Sequence, residues 1–441
     1  MDKKAIFIIA IFFLIGFCKL FGFHPYGWDE SVYSQTSAYI KSFGEHGFLE
    51  NLRPVMFPLL LAPFDSTFLM RLFVLALSIA SLFLFYKIAE KNSEYPWIFV
   101  FLLAIYPYFF IGSNLIMAEI PAIFFHLLCV YLFLEKKYLF SGLFGFIAFF
   151  TRFQFGIYLP ILLAAVFIKD RKKTLKFVYG IAIGSVLLLA NLFLYYSQTH
   201  SLSSLIYPMV NQFREILASE YVWYYDKGLF YYFIYLFSWS IFSITAIFGM
   251  LSHKKSIFHY LLIIPLAYLT LSVHKESRYL ALAAPWIIYF MAHGIVFLFK
   301  KIKRIKFNGK ILASLFVIIA LLTTAIGTYE KSKAFYNAPQ ELYDKYFFAM
   351  ENVTNKTMLT STPMIKTESK IVIGYYNDTY FYQKLGERKY DYVFYADNSF
   401  PCNTKECLDF RNEIKGYLDI NYELFLSYDY HANYSVYRKK A

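Results

Sequence analysis

Residues 3–30 read KKAIFIIAIFFLIGFCKLFGFHPYGWDE, and this stretch contains the features that decide the fold. Two lysines precede an apolar run from Ala5 to Leu20, which has the length and composition of a membrane helix. The small-residue cleavage site of a signal peptide does not follow the run, so we expect a retained anchor. The adjacent acidic pair Asp29 and Glu30 comes just after it, near the membrane interface, where ionisable residues are costly and tend to be functional.

The composition extends this pattern to most of the chain. Of 441 residues, 59% are hydrophobic and only 17% are charged, a balance that is not typical of soluble domains. Apolar stretches recur up to about residue 330, so the sequence predicts a polytopic α-helical membrane protein with about 11 transmembrane helices. The predicted spans are 4–22, 67–89, 97–112, 118–134, 138–151, 154–168, 175–196, 229–251, 257–273, 279–299 and 310–329.

The positive charge follows the membrane pattern. A net charge of +13 suggests a nucleic-acid partner, but residues 331–441 hold 15 basic and 14 acidic residues, so nearly all of the surplus lies in residues 1–330. There it falls in short connections on one side of the spans, as the positive-inside rule predicts. We therefore predict a multi-pass protein of the cell membrane, with a cytoplasmic N-terminus, an extracytoplasmic C-terminal domain and no nucleic-acid partner.

Residues 331–441 have the composition of a separate, small soluble α/β domain behind the membrane domain of residues 1–330. Short alternating runs predict strands at 371–373, 392–395, 424–426 and 434–437. Helices are predicted at 340–350 and 405–418, and an amphipathic segment is predicted earlier in the chain, at 31–43. An extracytoplasmic location permits a disulfide between Cys402 and Cys407, which the sequence leaves open.

Polar residues that could carry chemistry fall in connections or at span ends on the predicted outer face. They are Asp29, Glu30, Arg53, Glu119, Arg152, His274, Lys275 and Arg278. Carboxylates beside cations suit the transfer of a sugar from a lipid phosphate. A carboxylate takes a proton from the acceptor, and positive charge stabilises the departing phosphate. Arginine holds a phosphate through a planar fork, and lysine holds it as a point charge.

In their order along the chain, these motifs resemble those of the GT-C glycosyltransferases. The nearest branch is that of the protein O-mannosyltransferases and aminoarabinose transferases, and the segment 274–279 is also similar to that of mannosyltransferases that use dolichyl-phosphate-mannose. The motifs are His24-Pro25 with Trp28-Asp29-Glu30, Arg53-Pro54, Met117-Ala118-Glu119-Ile120-Pro121, Thr151-Arg152, and His274-Lys275-Glu276-Ser277-Arg278-Tyr279-Leu280 with Pro285. The Trp-Trp-Asp signature of oligosaccharyltransferases does not occur in the sequence.

The resemblance implies an inverting transferase that moves a sugar from a polyprenyl (dolichyl) phosphate to a glycan, lipid or protein acceptor on the outer face of the membrane. It implies that Asp29 is the catalytic base, supported by Glu30, and that Glu119 is the second acidic residue of the site. Lys275 and Arg278 would hold the donor phosphate, with Arg53, Arg152 and His274 as further donor-binding residues. A divalent cation, Mg or Mn, held by Asp29 and Glu119 stays open.

Structural alternatives exist for the same residues. Asp29 can cap the following helix, and Glu119 can face the positive end of a helix dipole. Lys275 and Arg278 can be anchors that reach interface water, and His126 lies in an apolar span as a satisfied core histidine would. The alternative function is a transporter or lipid flippase with charged residues along its path, for which we expect inverted repeats or matching broken spans.

Overall fold

A computed structural model describes residues 1–21, 28–44, 47, 49, 53–199, 228–272, 275–304, 308–336, 357–361, 371–373, 381–382, 385–387, 390–397, 405–430 and 432–440. The chain divides into two compact units. The first contains Met1–Phe23, Asn51–Phe57 and Ser66–Tyr336, and the second contains His24–Glu50, Pro58–Asp65 and Asn337–Ala441. The segments 24–50 and 58–65 are thus grouped with the tail, whereas the predicted functional domains 1–330 and 331–441 stay a prediction.

Helices make up nearly all of the described chain before residue 337. They are α1 (Lys3–Leu20), α2 (Trp28–Lys41), α3 (Met56–Leu61), α4 (Thr67–Ala89), α5 (Pro96–Ala104), α6 (Pro107–Gly112), α7 (Glu119–Leu134), α8 (Tyr138–Thr151), α9 (Tyr158–Lys169), α10 (Arg171–Thr199), α11 (Tyr231–Trp239), α12 (Thr245–Ser252), α13 (Ile257–Leu271), α14 (Ala284–Lys303) and α15 (Gly309–Tyr336). Three 3₁₀ turns join some of them: Phe153–Ile157, Ile241–Ile244 and Ser277–Leu282.

These helices form a multi-pass membrane bundle. Three of the described helices are long and apolar enough to cross a bilayer by themselves: Thr67–Ala89, Ala284–Lys303 and Gly309–Ser332. Every predicted span coincides with helical structure, but the predicted number of crossings stays a prediction because several spans are short or interrupted. Span 97–112 breaks before Pro107, which cannot continue the α5 hydrogen-bond ladder, and span 229–251 breaks at Ser240.

Small residues bring helix backbones of the first unit into direct contact. A Cβ atom on Gly249 of α12 would lie 1.8 Å from the carbonyl oxygen of Phe290 in α14. Reciprocally, a Cβ atom on Gly294 of α14 would lie 1.8 Å from the carbonyl oxygen of Thr245. Glycines at both sides of a crossing permit this approach, as is common between membrane helices.

The second unit contains a five-stranded sheet with the order β2-β1-β3-β5-β4. The strands are β1 (Met358–Thr360), β2 (Ile371–Ile373), β3 (Tyr392–Asp397), β4 (Tyr422–Tyr430) and β5 (Ala432–Lys439), with helix α16 (Lys405–Asn421) between β3 and β4. β1 is parallel to β2 and β3, whereas β5 is antiparallel to β3 and β4. The core includes Leu359, Val393 and Ile414.

The predicted strands and the helix 405–418 of this small α/β unit are confirmed. β1 was missed because its three residues, Met-Leu-Thr, are all buried and show no alternation. The predicted helix 340–350 and Cys402 lie outside the described residues, as does the side chain of Cys407.

Helix α2 carries the acidic pair in its first turn. Every residue from Glu30 to Ser37 is buried, so the prediction of an amphipathic segment is wrong over these two turns. Hydroxyl side chains tolerate this burial by bonding to the backbone of their own helix, as Ser34 does when its Oγ donates to the carbonyl oxygen of Ser31 at 3.2 Å.

Candidate active site

An ion pair joins the start of α7 to the end of α8. The two helices are consecutive and joined by a tight connection, so Glu119 and Arg152 lie at the same end of the pair. Nη1 of Arg152 lies 2.7 Å from Oε1 of Glu119, and the two side chains are 13% and 7% exposed. The Nε of Arg152 donates to Oε1 of Gln154 at 2.7 Å. Glu119 is also in the first turn of α7, at the positive end of the helix dipole, so two sources of positive potential face its carboxylate.

Two arginines lie close to the ring of Tyr279. The guanidinium carbon of Arg152 is 5.4 Å from the centroid of that ring, and that of Arg278 is 5.6 Å away. Guanidinium groups are attracted to the negative face of an aromatic ring, so the tyrosine holds two cations close together.

The 3₁₀ turn Ser277–Leu282 presents the second arginine. Nη2 of Arg278 donates to Oε1 of Glu276 at 3.1 Å, and Nε lies 2.5 Å from Oε2, so the two side chains form a charge-assisted ion pair. The turn is held near both ends, because the hydroxyls of Tyr108 and Ser277 are hydrogen-bonded and Tyr158 Oη donates to the carbonyl oxygen of Leu282 at 2.6 Å. The charged groups are therefore carried by a braced segment.

Comparison with solved structures identifies the fold. The crystal structure of ArnT from Cupriavidus metallidurans bound to undecaprenyl phosphate is similar over 99% of this chain and 98% of that one, with a TM-score of 0.68 and 10% sequence identity. The apo structure of ArnT from the same organism matches 98% of this chain and 97% of its own, with a TM-score of 0.65 and 10% identity. This chain has the ArnT fold.

The sequences are nevertheless far apart. No protein-family model matches this chain, and no curated protein matches it either. The predicted resemblance to the aminoarabinose transferase branch of the GT-C enzymes is confirmed as a likeness of fold, whereas the similarity to dolichyl-phosphate-mannose enzymes stays a prediction.

The predicted catalytic pair belongs to the second compact unit. Asp29 is partly exposed and Glu30 is 3% exposed, both in the first turn of α2, where the helix dipole stabilises negative charge. The cap alternative for Asp29 and its role as a base both remain predictions. Arg53, in the first unit, is half-buried, and its predicted role as a donor ligand also remains a prediction.

Two predicted phosphate ligands precede the 3₁₀ turn. Lys275 is only 7% exposed, which does not favour the alternative of an anchor that extends into interface water. His274 lies outside the described residues. Two carboxylates and two guanidinium groups form the charged cluster, namely Glu119, Glu276, Arg152 and Arg278, and their formal charges cancel. Lys275 precedes Glu276 in the sequence and adds a formal positive charge next to this cluster.

The predicted motif 274–280 included Ser277 and Tyr279 without giving either a role, and sequence reasoning missed Gln154 and Tyr108. Tyr279 directly follows Arg278, and that adjacency was a usable signal. The other contacts join residues distant in sequence or depend on the local turn. His126 was predicted to be a satisfied core histidine, and this is confirmed: it is buried and its Nε2 accepts from Trp286 Nε1 at 3.0 Å.

One of the two carboxylates predicted to hold a divalent cation is paired with an arginine. Among the residues that the structure describes, no three His, Cys, Asp or Glu side chains come together as a metal site would require. The carboxylate of Glu119 already faces a guanidinium, whose charge would repel a metal ion. Binding of Mg or Mn by Asp29 and Glu119 stays an untested prediction.

Proposed function

We propose that this protein is a membrane glycosyltransferase that takes a sugar from a polyprenyl (dolichyl) phosphate and transfers it to a glycan, lipid or protein acceptor. The observation that carries the proposal is the fold shared along nearly the whole chain with ArnT, which was crystallised with undecaprenyl phosphate. A bundle of apolar helices suits such a donor, because its polyprenyl tail stays in the bilayer while the phosphate stays near the interface.

The cluster around Tyr279 supports the phosphate side of the reaction. The described contacts of Arg152 use two of its three nitrogen atoms, so the guanidinium has further donor capacity for an incoming anion. Arg278, held next to it, and Lys275, with Arg53 and His274 as further ligands, would stabilise the charge that develops on the phosphate when the glycosidic bond breaks.

The proposed chemistry is a single displacement with inversion. The carboxylate of Asp29 removes the proton from the acceptor hydroxyl or amine, and the acceptor atom forms a bond to the anomeric carbon. The bond from that carbon to the phosphate oxygen breaks on the opposite face, and its electron pair leaves with the polyprenyl phosphate. Glu30 would support the base and Glu119 would orient the acceptor.

The proposed orientation has the N-terminus in the cytoplasm and the C-terminal domain outside. It rests on the basic residues in alternate connections. The reaction would then take place at the outer face, where the candidate acidic and basic residues are predicted to lie.

The test uses purified protein in lipid with a panel of radiolabelled polyprenyl-phosphate sugars and a membrane extract as acceptor. Wild type, Asp29→Asn and Asp170→Asn are run together. Asp170 is the matched control because its carboxylate is paired with Lys173 at 2.8 Å in the connection after α9. We expect label transfer by wild type and Asp170→Asn, and none by Asp29→Asn.

Transfer by all three variants would preserve the enzyme class and disprove the role of Asp29 as the base. If no sugar donor is used by wild type but labelled lipid crosses sealed vesicles that contain the protein, the transporter or flippase alternative replaces the proposal.

A further inference from the structure

A group of tyrosines beside the charged cluster has no role in the function proposed so far. Helix α6 and the residue before it contribute Tyr108 and Tyr106, and α11 contributes Tyr231, Tyr232 and Tyr235; these five residues are called the tyrosine cluster. Their rings are neighbours, with centroid distances of 5.7 Å for Tyr108–Tyr235, 6.4 Å for Tyr106–Tyr108 and 5.2 Å for Tyr231–Tyr232. Their hydroxyls are close enough to act on one another electrostatically.

Two of these hydroxyls have no hydrogen-bond acceptor among the described residues. Tyr106 is 1% exposed and its Oη has no hydrogen-bond partner in the part of the chain that the structure describes. Tyr232 is 0% exposed, and the backbone N–H of Glu276 lies near its Oη, a group that can donate to the hydroxyl but cannot accept its proton. A buried polar atom without a partner is costly, and native proteins satisfy nearly all of them with protein groups, water or a ligand. The adjacent Trp239 illustrates the usual situation, because its Nε1 donates to Thr328 Oγ1 at 3.0 Å.

The position of the cluster suggests which ligand would satisfy them. Tyr108 is hydrogen-bonded to Ser277, and the next residue is Arg278, a proposed phosphate ligand. In a polyprenyl-phosphate sugar the ring is attached directly to the phosphate. Tyr108 is hydrogen-bonded to the residue next to a proposed phosphate ligand, so the tyrosine cluster is placed to contact the sugar ring. Tyr108, Tyr231 and Tyr235 are only partly buried, so the cluster is open on one side.

We propose that the tyrosine cluster binds the sugar ring of the donor, with the hydroxyls of Tyr106 and Tyr232 hydrogen-bonded to sugar hydroxyls. This inference rests on the proposed function. Aromatic rings offer apolar faces for the C–H groups of a sugar, and the phenolic hydroxyls both donate and accept. Such a combination of aromatic walls and a few placed polar groups is typical of small-molecule sites.

The charges around the cluster favour a neutral sugar. The ammonium of Lys331 lies 5.2 Å from the ring centroid of Tyr235 and would repel an amino sugar. Glu276, a carboxylate close enough to act electrostatically on Tyr108 and Tyr232, is paired with Arg278 and therefore attracts an amino sugar less strongly. A neutral hexose is not repelled by Lys331 and does not need a carboxylate partner.

The experiment measures the Kd of the full-length protein in nanodiscs for four probes: bare undecaprenyl phosphate and its mannose, glucose and aminoarabinose derivatives. We expect wild type to bind at least one hexose derivative more tightly than the bare lipid phosphate. Tyr106→Phe and Tyr232→Phe should each reduce that preference by about fivefold, the effect of losing one hydrogen bond, with the Kd for bare undecaprenyl phosphate unchanged.

Tyr86→Phe is the matched control, since its hydroxyl accepts from the N–H of Asp2 at 2.9 Å, far along the chain from the cluster. It should leave all four Kd values unchanged. Because Tyr106→Phe and Tyr232→Phe remove unsatisfied hydroxyls, both should retain the melting temperature of wild type.

Three outcomes would overturn the inference. In the first, wild type binds no sugar derivative more tightly than bare undecaprenyl phosphate. In the second, the phenylalanine variants keep the wild-type preference for the hexose derivative, so the hydroxyls hold only buried water. In the third, the phenylalanine variants lose affinity equally for all four probes. A preference for the aminoarabinose derivative would overturn the neutral-sugar assignment. Failure to bind even bare undecaprenyl phosphate is a separate result, which would count against the proposed function itself.

Discussion

The guanidinium of Arg152 lies 2.7 Å from the carboxylate of Glu119, and both side chains are largely buried. Glu119 begins α7 and Arg152 directly follows α8, so the ion pair joins the start of one helix to the end of the other. The same arginine also contacts Gln154 and the ring of Tyr279. The ion pair therefore connects helix packing with the charged cluster that the proposed function uses.

Replacing Arg152 and replacing Glu119 should destabilise the protein to different extents. Arg152→Gln leaves a buried carboxylate without its cation, at a cost on the order of 3 kcal/mol. Glu119→Gln should cost less, because Arg152 keeps Gln154 and Tyr279 as partners. Thermal unfolding in detergent measures the difference. Asp170→Asn, at an exposed pair, is the control and should lower the melting temperature least, because water screens such pairs. Equal losses for the two buried variants would contradict this account.

The arginine beside Glu119 also predicts the response to metal removal. Since that carboxylate already has a positive partner, we expect sugar transfer to continue after treatment with EDTA. The assay is label transfer before chelation, after chelation, and after addition of Mg²⁺ or Mn²⁺. Activity that disappears with EDTA and returns with one of these ions would show that a metal is required and that the arginine moves or is shared.

The crossing of α12 and α14 should not tolerate a methyl group. Gly294→Ala and Gly249→Ala each place a Cβ atom against a carbonyl oxygen of the other helix, and separating the backbones should cost at least about 3 kcal/mol. The measurement is the melting temperature in detergent. Gly416→Ala is the control, because its Cβ would have no neighbour within 4 Å and alanine is the better helix former. A Gly294→Ala protein as stable as wild type would rule out such a close crossing.

The hydrogen bond from Tyr158 to the 3₁₀ turn Ser277–Leu282, called the brace, should affect ligand binding as well as stability. Tyr158→Phe removes the hydrogen bond to Leu282 and should cost about 1 kcal/mol of unfolding free energy. Because that turn carries Arg278, we also expect weaker binding of undecaprenyl phosphate. Tyr86→Phe loses a comparable hydrogen bond elsewhere in the bundle and should leave binding intact. Equal binding by the two variants would show that the brace supports only the fold.

The candidate site was only partly predictable. Glu119, Arg152 and Arg278 were recognised because charged residues near apolar spans are conspicuous. Tyr108 was not recognised, and Tyr279 was quoted in a motif without a role of its own, because this chain contains 41 tyrosines and most of them are expected in the core or at the membrane interface. Their roles depend on which helices become neighbours, which a local pattern does not specify.

The sequence by itself determined that the chain is a helical membrane protein with a small sheet-containing tail. Hydrophobic runs of span length and alternating strands are local patterns that depend on residues close together in the chain. Only the tertiary structure decided that Arg152 pairs with Glu119 and that two arginines lie near the ring of Tyr279. It also placed the hydroxyls of Tyr106 and Tyr232 in the interior, with no hydrogen-bond acceptor among the described residues. These relations arise from packing between distant segments, where burial and distance, rather than residue type, determine which polar groups meet.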